Sequence, residues 1–286
     1  MAFGNNPNDA ALAAAWDNFC DKLKGAKEMI LRDSVPDSDL DRATGYQYLA
    51  RYIAKAMNQQ FEFADMNHPQ LWTLQTPISK SFGDNPDCNY LVCWVDGAHD
   101  YRIVGNRGTV DWVSFLIQGS ETDGDSIPAI NNSALQTNWD GSFEITLSRT
   151  RKPGNWLTLN PGPNYVFIRQ FFGEWDREEP MDIRIERIGA EGPPPPLTPG
   201  QVVDRLNKTI DWLLMDAQRW VDWVTEYDDA PNRFVSKMPS WVGDGGQKNL
   251  GRQLQFCQWR IAPDEALLIR VTPPRAAYWN FELANA

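Results

Sequence analysis

Histidine is nearly absent from this chain, which places only His68 and His99 among its 286 residues. Imidazole-based metal clusters need several ligands at set spacing, and only Asp100, beside His99, supplies a neighbouring carboxylate. A Ser/His/Asp triad has the same two imidazoles to draw on, and no GxSxG elbow is present. Cysteine is also sparse: Cys20, Cys88, Cys93 and Cys257 lack CxxC spacing, which predicts free thiols in a reducing compartment. No run approaches the length of an apolar membrane span, and MAFGNNPNDAALAAAW lacks a basic start followed by an apolar stretch. The expectation is a cytoplasmic protein with no membrane partner.

Basic residues are outnumbered, 27 Lys and Arg against 38 Asp and Glu, for a net charge of -11. That balance repels phosphate backbones and argues against nucleic acid as a partner. The glycine cluster Gly243-Asp244-Gly245-Gly246 lacks the lysine and serine of a phosphate cradle and reads as a loop. The run Asp228-Asp229 with Asn232 has hard-cation ligand types, but a solvated helix C-terminus is the better reading. No metal, nucleotide or other cofactor is expected.

What the chain has in excess is aromatic: 13 Trp, 13 Phe and 8 Tyr. Such residues fill cores and line apolar pockets alike. Apolar positions at Leu12, Trp16, Phe19, Leu23 and Ile30 predict a helix over residues 9–32. Leu40, Ala43, Tyr46, Ala50, Ile53 and Met57 predict a second, capped by Asp37 or Ser38. From residue 81 the texture changes to short aromatic and β-branched runs separated by Asp-Gly, Asn-Arg-Gly and Pro-Gly turns. Strands are expected near 89–95, 101–105, 110–118, 142–149, 165–172 and 181–188. In the last of these Asp182, Arg184 and Glu186 share one face and Ile183 and Ile185 the other, so that sheet has a wet side. The run GAEGPPPPLTPG over 189–200 is a stiff linker. Beyond it, Val203, Leu206, Ile210, Leu213, Ala217, Trp220 and Val224 mark a long amphipathic helix opening at Thr198-Pro199. Residues 228–250 read as a loop, and further strands are expected over 253–261, 265–272 and 277–283. The fold class is α+β: an N-terminal helical hairpin, an antiparallel jelly-roll-like β-sandwich, a long helix and a second set of strands. The implied division is 1–80 helical, 81–190 sandwich, 191–200 linker, and 201–286 helix plus strands.

The motifs DNPDCNY (84–90), YRIVGNRGT (101–109), DGSFEITLS (140–148), PGNWLTL (153–159), YVFIRQFFGEW (165–175) and APDEALLIRVTPPRAAYWNFEL (262–283) together resemble bacterial proteins of the DUF1214 domain group. The resemblance spans about the whole chain in motif order. It implies jelly-roll-like domains, a bacterial source and no established catalytic residues. It also implies strands beyond the YWNFEL segment, so the C-terminal sheet is expected to be incomplete or truncated at Ala286.

The chemistry candidates are Arg102, Asn106, Arg107, Trp112, Arg169 and Trp175. Strands 101–118 and 165–172 are expected to bring a guanidinium pair to aromatic faces, a pairing suited to an amphipathic acid. The competing reading has Arg107 fixing a turn and Arg169 paired with Glu174 or Asp176. Those carboxylates, with Glu178 and Glu179, form a charged run after the strand, with no pair at a defined catalytic separation. The leading expectation is a bacterial protein that binds, and in one version converts, a mid-sized apolar or aromatic metabolite without metal or nucleotide. The alternative is a non-catalytic structural, assembly or carbohydrate-binding module. A homo-oligomer is left open.

Overall fold

The computed structural model describes residues 6–33, 35–80, 83–119, 128–227, 229–236, 254–273, 275–276 and 278–284. The first helix, α1 (Asp9–Gly25), ends earlier than the periodicity suggested, and the rest of the expected helix becomes the single turn α2 (Glu28–Leu31). The break lies at Ala26, which is fully buried. It turns Ile30 toward α3 (Asp39–Met57), where a Cβ on Gly45 would lie 2.6 Å from Ile30 Cγ2. Only glycine permits that approach. Ser38 caps α3 by accepting from the Asp41 amide at 3.1 Å. A π turn, Asn58–Glu62, extends the helix.

The long helix α4 (Pro199–Thr225) opens on a full capping box between Thr198 and Gln201, with proline in its first turn. Its buried stripe receives both earlier helices. Ala15 and Phe19 of α1 pack with Leu206 and Ile210, while Tyr52 and Ala56 of α3 pack with Leu213 and Ala217. The two N-terminal helices bury their apolar stripes against a helix from the far side of the proline linker.

Between them in sequence lie nine strands: β1 (Trp72–Thr73), β2 (Cys88–Asp96), β3 (Tyr101–Asn106), β4 (Trp112–Gly119), β5 (Ala129–Asn131), β6 (Ser142–Ser148), β7 (Asn155–Thr158), β8 (Pro163–Phe171) and β9 (Asp182–Arg187). They form a five-stranded sheet A, ordered β1-β2-β8-β4-β5, and a four-stranded sheet B, ordered β7-β6-β3-β9. Pairing is antiparallel except between β6 and β7, which run parallel. All six strands expected between residues 89 and 188 are present; β1, β5 and β7, of two to four residues, are additions. They are too short to show a period.

Between the sheets lies one apolar core, with Tyr101, Ile103, Phe115, Ile117, Ile145, Leu147, Val166 and Ile168 wholly buried. Each such aliphatic side chain contributes roughly 1.5–3 kcal/mol by leaving water. The outer faces differ. Sheet A is apolar on that side too, its Tyr90, Val92 and Phe171 forming a second cluster with Trp72, Phe63 and Tyr278. The π turn meets this face, and the Tyr165 hydroxyl donates to Gln59 Oε1 at 3.4 Å. Sheet B is the wet sheet: Asp182 and Arg184 of β9 are exposed while Ile185 is buried.

The C-terminal strands expected over 253–261, 265–272 and 277–283 carry no ladder among the described residues. The segment makes one isolated bridge there, Val235 with Phe256. A β-rich composition makes a strand only where a neighbour supplies backbone partners. Asn232, at positive φ, ties residues 258–260 down: its amide donates to Gln258 O at 2.9 Å and its side chain to Arg260 O at 2.7 Å. Asp228 and the Gly243–Gly246 loop lie outside the described residues.

Candidate functional site

Strand β8 alternates Tyr165, Phe167, Arg169 and Phe171 toward the outer face of sheet A, and Val166, Ile168 and Gln170 toward the core. Arg169 is the one charged residue of that outward row. Register places it directly opposite Tyr90 on β2 and Ser114 on β4. Two residues along, Phe171 faces Cys88 and Trp112. The guanidinium carbon stands 4.5 Å from the Phe167 ring centroid. Phe167 in turn meets Tyr90 at 5.6 Å, while Phe171 meets Trp112 and Tyr278, each at 5.0 Å.

Two polar atoms in this aromatic setting have no hydrogen-bond partner: Arg169 Nη1 and Ser114 Oγ, both buried. The Nε1 donors of Trp72 and Trp94 are in the same position. Such groups cost roughly 1–3 kcal/mol each when unpaired. Burial works against the charge of Arg169, and Tyr90 and Cys88 work for it. Arginine stays protonated in such settings.

Next to this face lies a cluster that the sequence pattern did not single out. Tyr52 of α3 donates its hydroxyl to Asp216 of α4, and the Lys55 ammonium lies 5.7 Å from the Tyr52 ring centroid. Burial pulls the Lys55 pKa down to about 7, against the opposing pull of Asp216 and Asp84. Burial likewise pushes the Asp216 carboxyl up. Against the same face, Tyr278 holds the C-terminal segment to the sheet by donating to Asp87 Oδ2 at 2.8 Å and accepting from Asn85 Nδ2 at 2.9 Å. Burial raises the nearby Asp84 and Glu282 carboxyls. Among the described residues no group of three or more His, Cys, Asp or Glu is arranged to hold a metal ion.

Of the six candidates named from the sequence, the fold brings two together. Trp112 and Arg169 are diagonal neighbours on sheet A. Arg102 lies on β3 of sheet B, pairing with Glu186 and reaching Glu144 at 4.0 Å. The guanidinium pair is therefore split between the sheets, because β3 belongs to sheet B and β8 to sheet A. Asn106 and Arg107 build turns: Asn106 donates to Asp140 O at 2.8 Å and accepts from the Gly108 amide at 3.0 Å. Arg107 donates to Asn132 Oδ1 at 3.1 Å. Trp175 stacks on Phe172 at 3.8 Å beyond the strand end. Glu174 pairs with Arg177 at 2.6 Å rather than with Arg169. Ser114, Tyr90 and Phe167 were missed; the legible signal was an arginine interrupting an aromatic every-second-residue row.

No family model matches the chain, and no curated protein matches it. Among solved structures, an uncharacterized protein from Burkholderia cenocepacia superposes with a TM-score of 0.76 and 35% identity, over 84% of this chain and 69% of its own. The chain belongs to that protein's family. The family is bacterial and its function unknown, so the neighbour supplies a shared α+β fold and no assigned site. A Vibrio parahaemolyticus protein also aligns, at 16% identity and a TM-score of 0.31, over 55% of this chain and 47% of its own. No helix among the described residues is long and apolar enough to cross a membrane.

Proposed function

We propose that this family member binds a mid-sized amphipathic acid, an apolar or aromatic body carrying a carboxylate, on the outer face of sheet A. The observation that carries the reading is the pair of unpartnered buried groups, Arg169 Nη1 and Ser114 Oγ, facing each other across β8 and β4. A guanidinium and a hydroxyl present two donors to one carboxylate, and a charge-assisted bond is stronger than a neutral one. Trp112, Phe167, Phe171 and Tyr90 supply apolar walls for the body of the ligand. Any conversion of the ligand would draw on Lys55, Tyr52 and Asp216 without metal or nucleotide. The free state of all four cysteines supports a cytoplasmic setting. Kinship with the DUF1214 group rests on the motif order alone.

The test is native mass spectrometry of protein purified without denaturant, wild type against Arg169→Met. Wild type is expected to carry a small carboxylic acid that the variant loses. A variant that retains the same acid, or a wild type that carries none and binds none from a panel of aromatic carboxylates, refutes the reading.

A further inference from the structure

Trp139 is 98% exposed, the most exposed large apolar side chain among the described residues. It does not sit on a loose loop. The Asn138 amide donates to Ser142 O at 2.8 Å, and the Gly141 amide returns to Asn138 O at 3.1 Å. Asn138 Nδ2 donates to Ser142 Oγ at 2.9 Å, and the Ser142 amide and hydroxyl both donate to Asp140 Oδ1, at 2.9 and 2.7 Å. From the neighbouring strand, Asn106 Nδ2 donates to Asp140 O at 2.8 Å, and the Arg107 amide to Gly141 O at 2.9 Å. Seven hydrogen bonds hold in place a turn whose indole faces water. A large exposed aromatic on a rigid support marks a contact surface, because its area is available without an ordering cost.

The same turn borders an open groove of about 440 Å³ lined by Val104, Asn106, Ser142, Phe143, Asp182 and Arg184. Register explains its chemistry. On the wet face of sheet B, Asp182, Asn106 and Ser142 form one cross-strand row, and Arg184, Val104 and Glu144 the next. Asn106 and Ser142 are committed to bracing the turn. Asp182 and Arg184 are not: neither side chain has a hydrogen-bond or ion-pair partner among the described residues. The groove thus offers a carboxylate acceptor and a five-donor guanidinium, and the turn that supplies Ser142 to its lining carries a flat indole.

We infer that this groove is a saccharide-binding site, with Trp139 as the stacking platform and Asp182 and Arg184 as the hydroxyl-reading pair. A pyranose ring has an apolar C–H face that fits an indole and a rim of hydroxyls that both donate and accept. Acid and guanidinium side by side answer both roles. Their opposite charges balance locally, which favours a neutral sugar over an anionic one. The net charge of -11 disfavours an anionic membrane surface as the occupant.

The experiment is isothermal titration of the full chain with maltohexaose, cellohexaose, mannohexaose and chitohexaose, backed by a neutral-glycan array. Wild type is expected to bind at least one glycan saturably. Trp139→Ala and Arg184→Ala should each weaken that binding roughly tenfold or more, as anchor residues do. Arg169→Met should leave it unchanged, which separates this site from the one on sheet A. Since Trp139 is almost wholly in water, its loss should leave the melting temperature in place, and a folding defect will not mask the result. Absence of binding across the array, or binding undiminished in Trp139→Ala, overturns the proposal. So does self-association in ultracentrifugation that Trp139→Ala abolishes while no glycan binds, since the occupant would then be a second copy of the chain.

Discussion

Raising the pH from about 7 to about 8.5 should make this protein more stable, and Lys55 is the reason. The side chain is 6% exposed, over the Tyr52 ring, with Asp216 and Asp84 as the anions that favour its charge. Burial outweighs them and takes the pKa from its ordinary 10.5 to about 7. Across that interval the unfolded chain holds a proton that the folded chain has shed. More protons on the unfolded state means stability that rises with pH. At about 1.4 kcal/mol per tenfold change in the proton equilibrium, the gain from about pH 7 to about pH 8.5 is about 1.5 kcal/mol. For a chain of this size that is a rise in Tm of about 3–6 °C. The window closes above it, because burial also raises the Cys93 thiol, so the unfolded thiol ionises first and stability falls through its ordinary 9.0. Tyr52, raised by burial and by Asp216, acts in that same downward direction from its ordinary 10.0. Asp216, pushed up by burial, weakens the fold as pH climbs from its ordinary 3.8. Urea unfolding at fixed ionic strength reads the slope directly. Lys55→Met keeps the apolar stem and should flatten it. A wild-type stability that is level or falling over the window, or a slope that survives in Lys55→Met, would refute this account.

Arg169→Met, the variant that tests ligand loss, should change stability by no more than about 1 kcal/mol, since removing the cation–π attraction is offset by relief of a buried, partly unpaired charge; a drop near 3 kcal/mol on urea unfolding would reveal a partner within the protein. Gly105→Ala should cost about 2–4 kcal/mol by the same measurement, because its Cβ would lie 1.9 Å from Asp182 O and force β9 off β3. An alanine variant with wild-type stability would show that the two strands yield. All four cysteines should titrate with a disulfide reagent in denaturant without reductant, and Cys93, fully buried with its thiol pKa raised, should be silent in the native protein. Two missing thiols in denaturant would contradict a reducing compartment.

Local information determined most of the elements. The three-and-four spacing of α3 and α4, the Thr198 cap, a cap at Asp37 or Ser38 that the structure assigns to Ser38, and the six longer strands were legible because each is set by periodicity and by groups within a few residues. The wet face of β9 was legible for the same reason: Asp182, Arg184 and Glu186 alternate with isoleucines whatever lies above them. That Arg169 interrupts an aromatic row was also in the sequence. What only the tertiary structure decided is which row meets which. Strands joined by short turns cross between layers, so Arg102 and Arg169 part company, while Ser114, 55 positions from Arg169 in the chain, becomes its direct neighbour. Tyr52, Lys55 and Asp216 converge because α3 and α4 bury complementary stripes across the proline linker. The C-terminal segment has strand composition yet no ladder among the described residues, since a strand is completed by its neighbour's backbone and not by its own side chains.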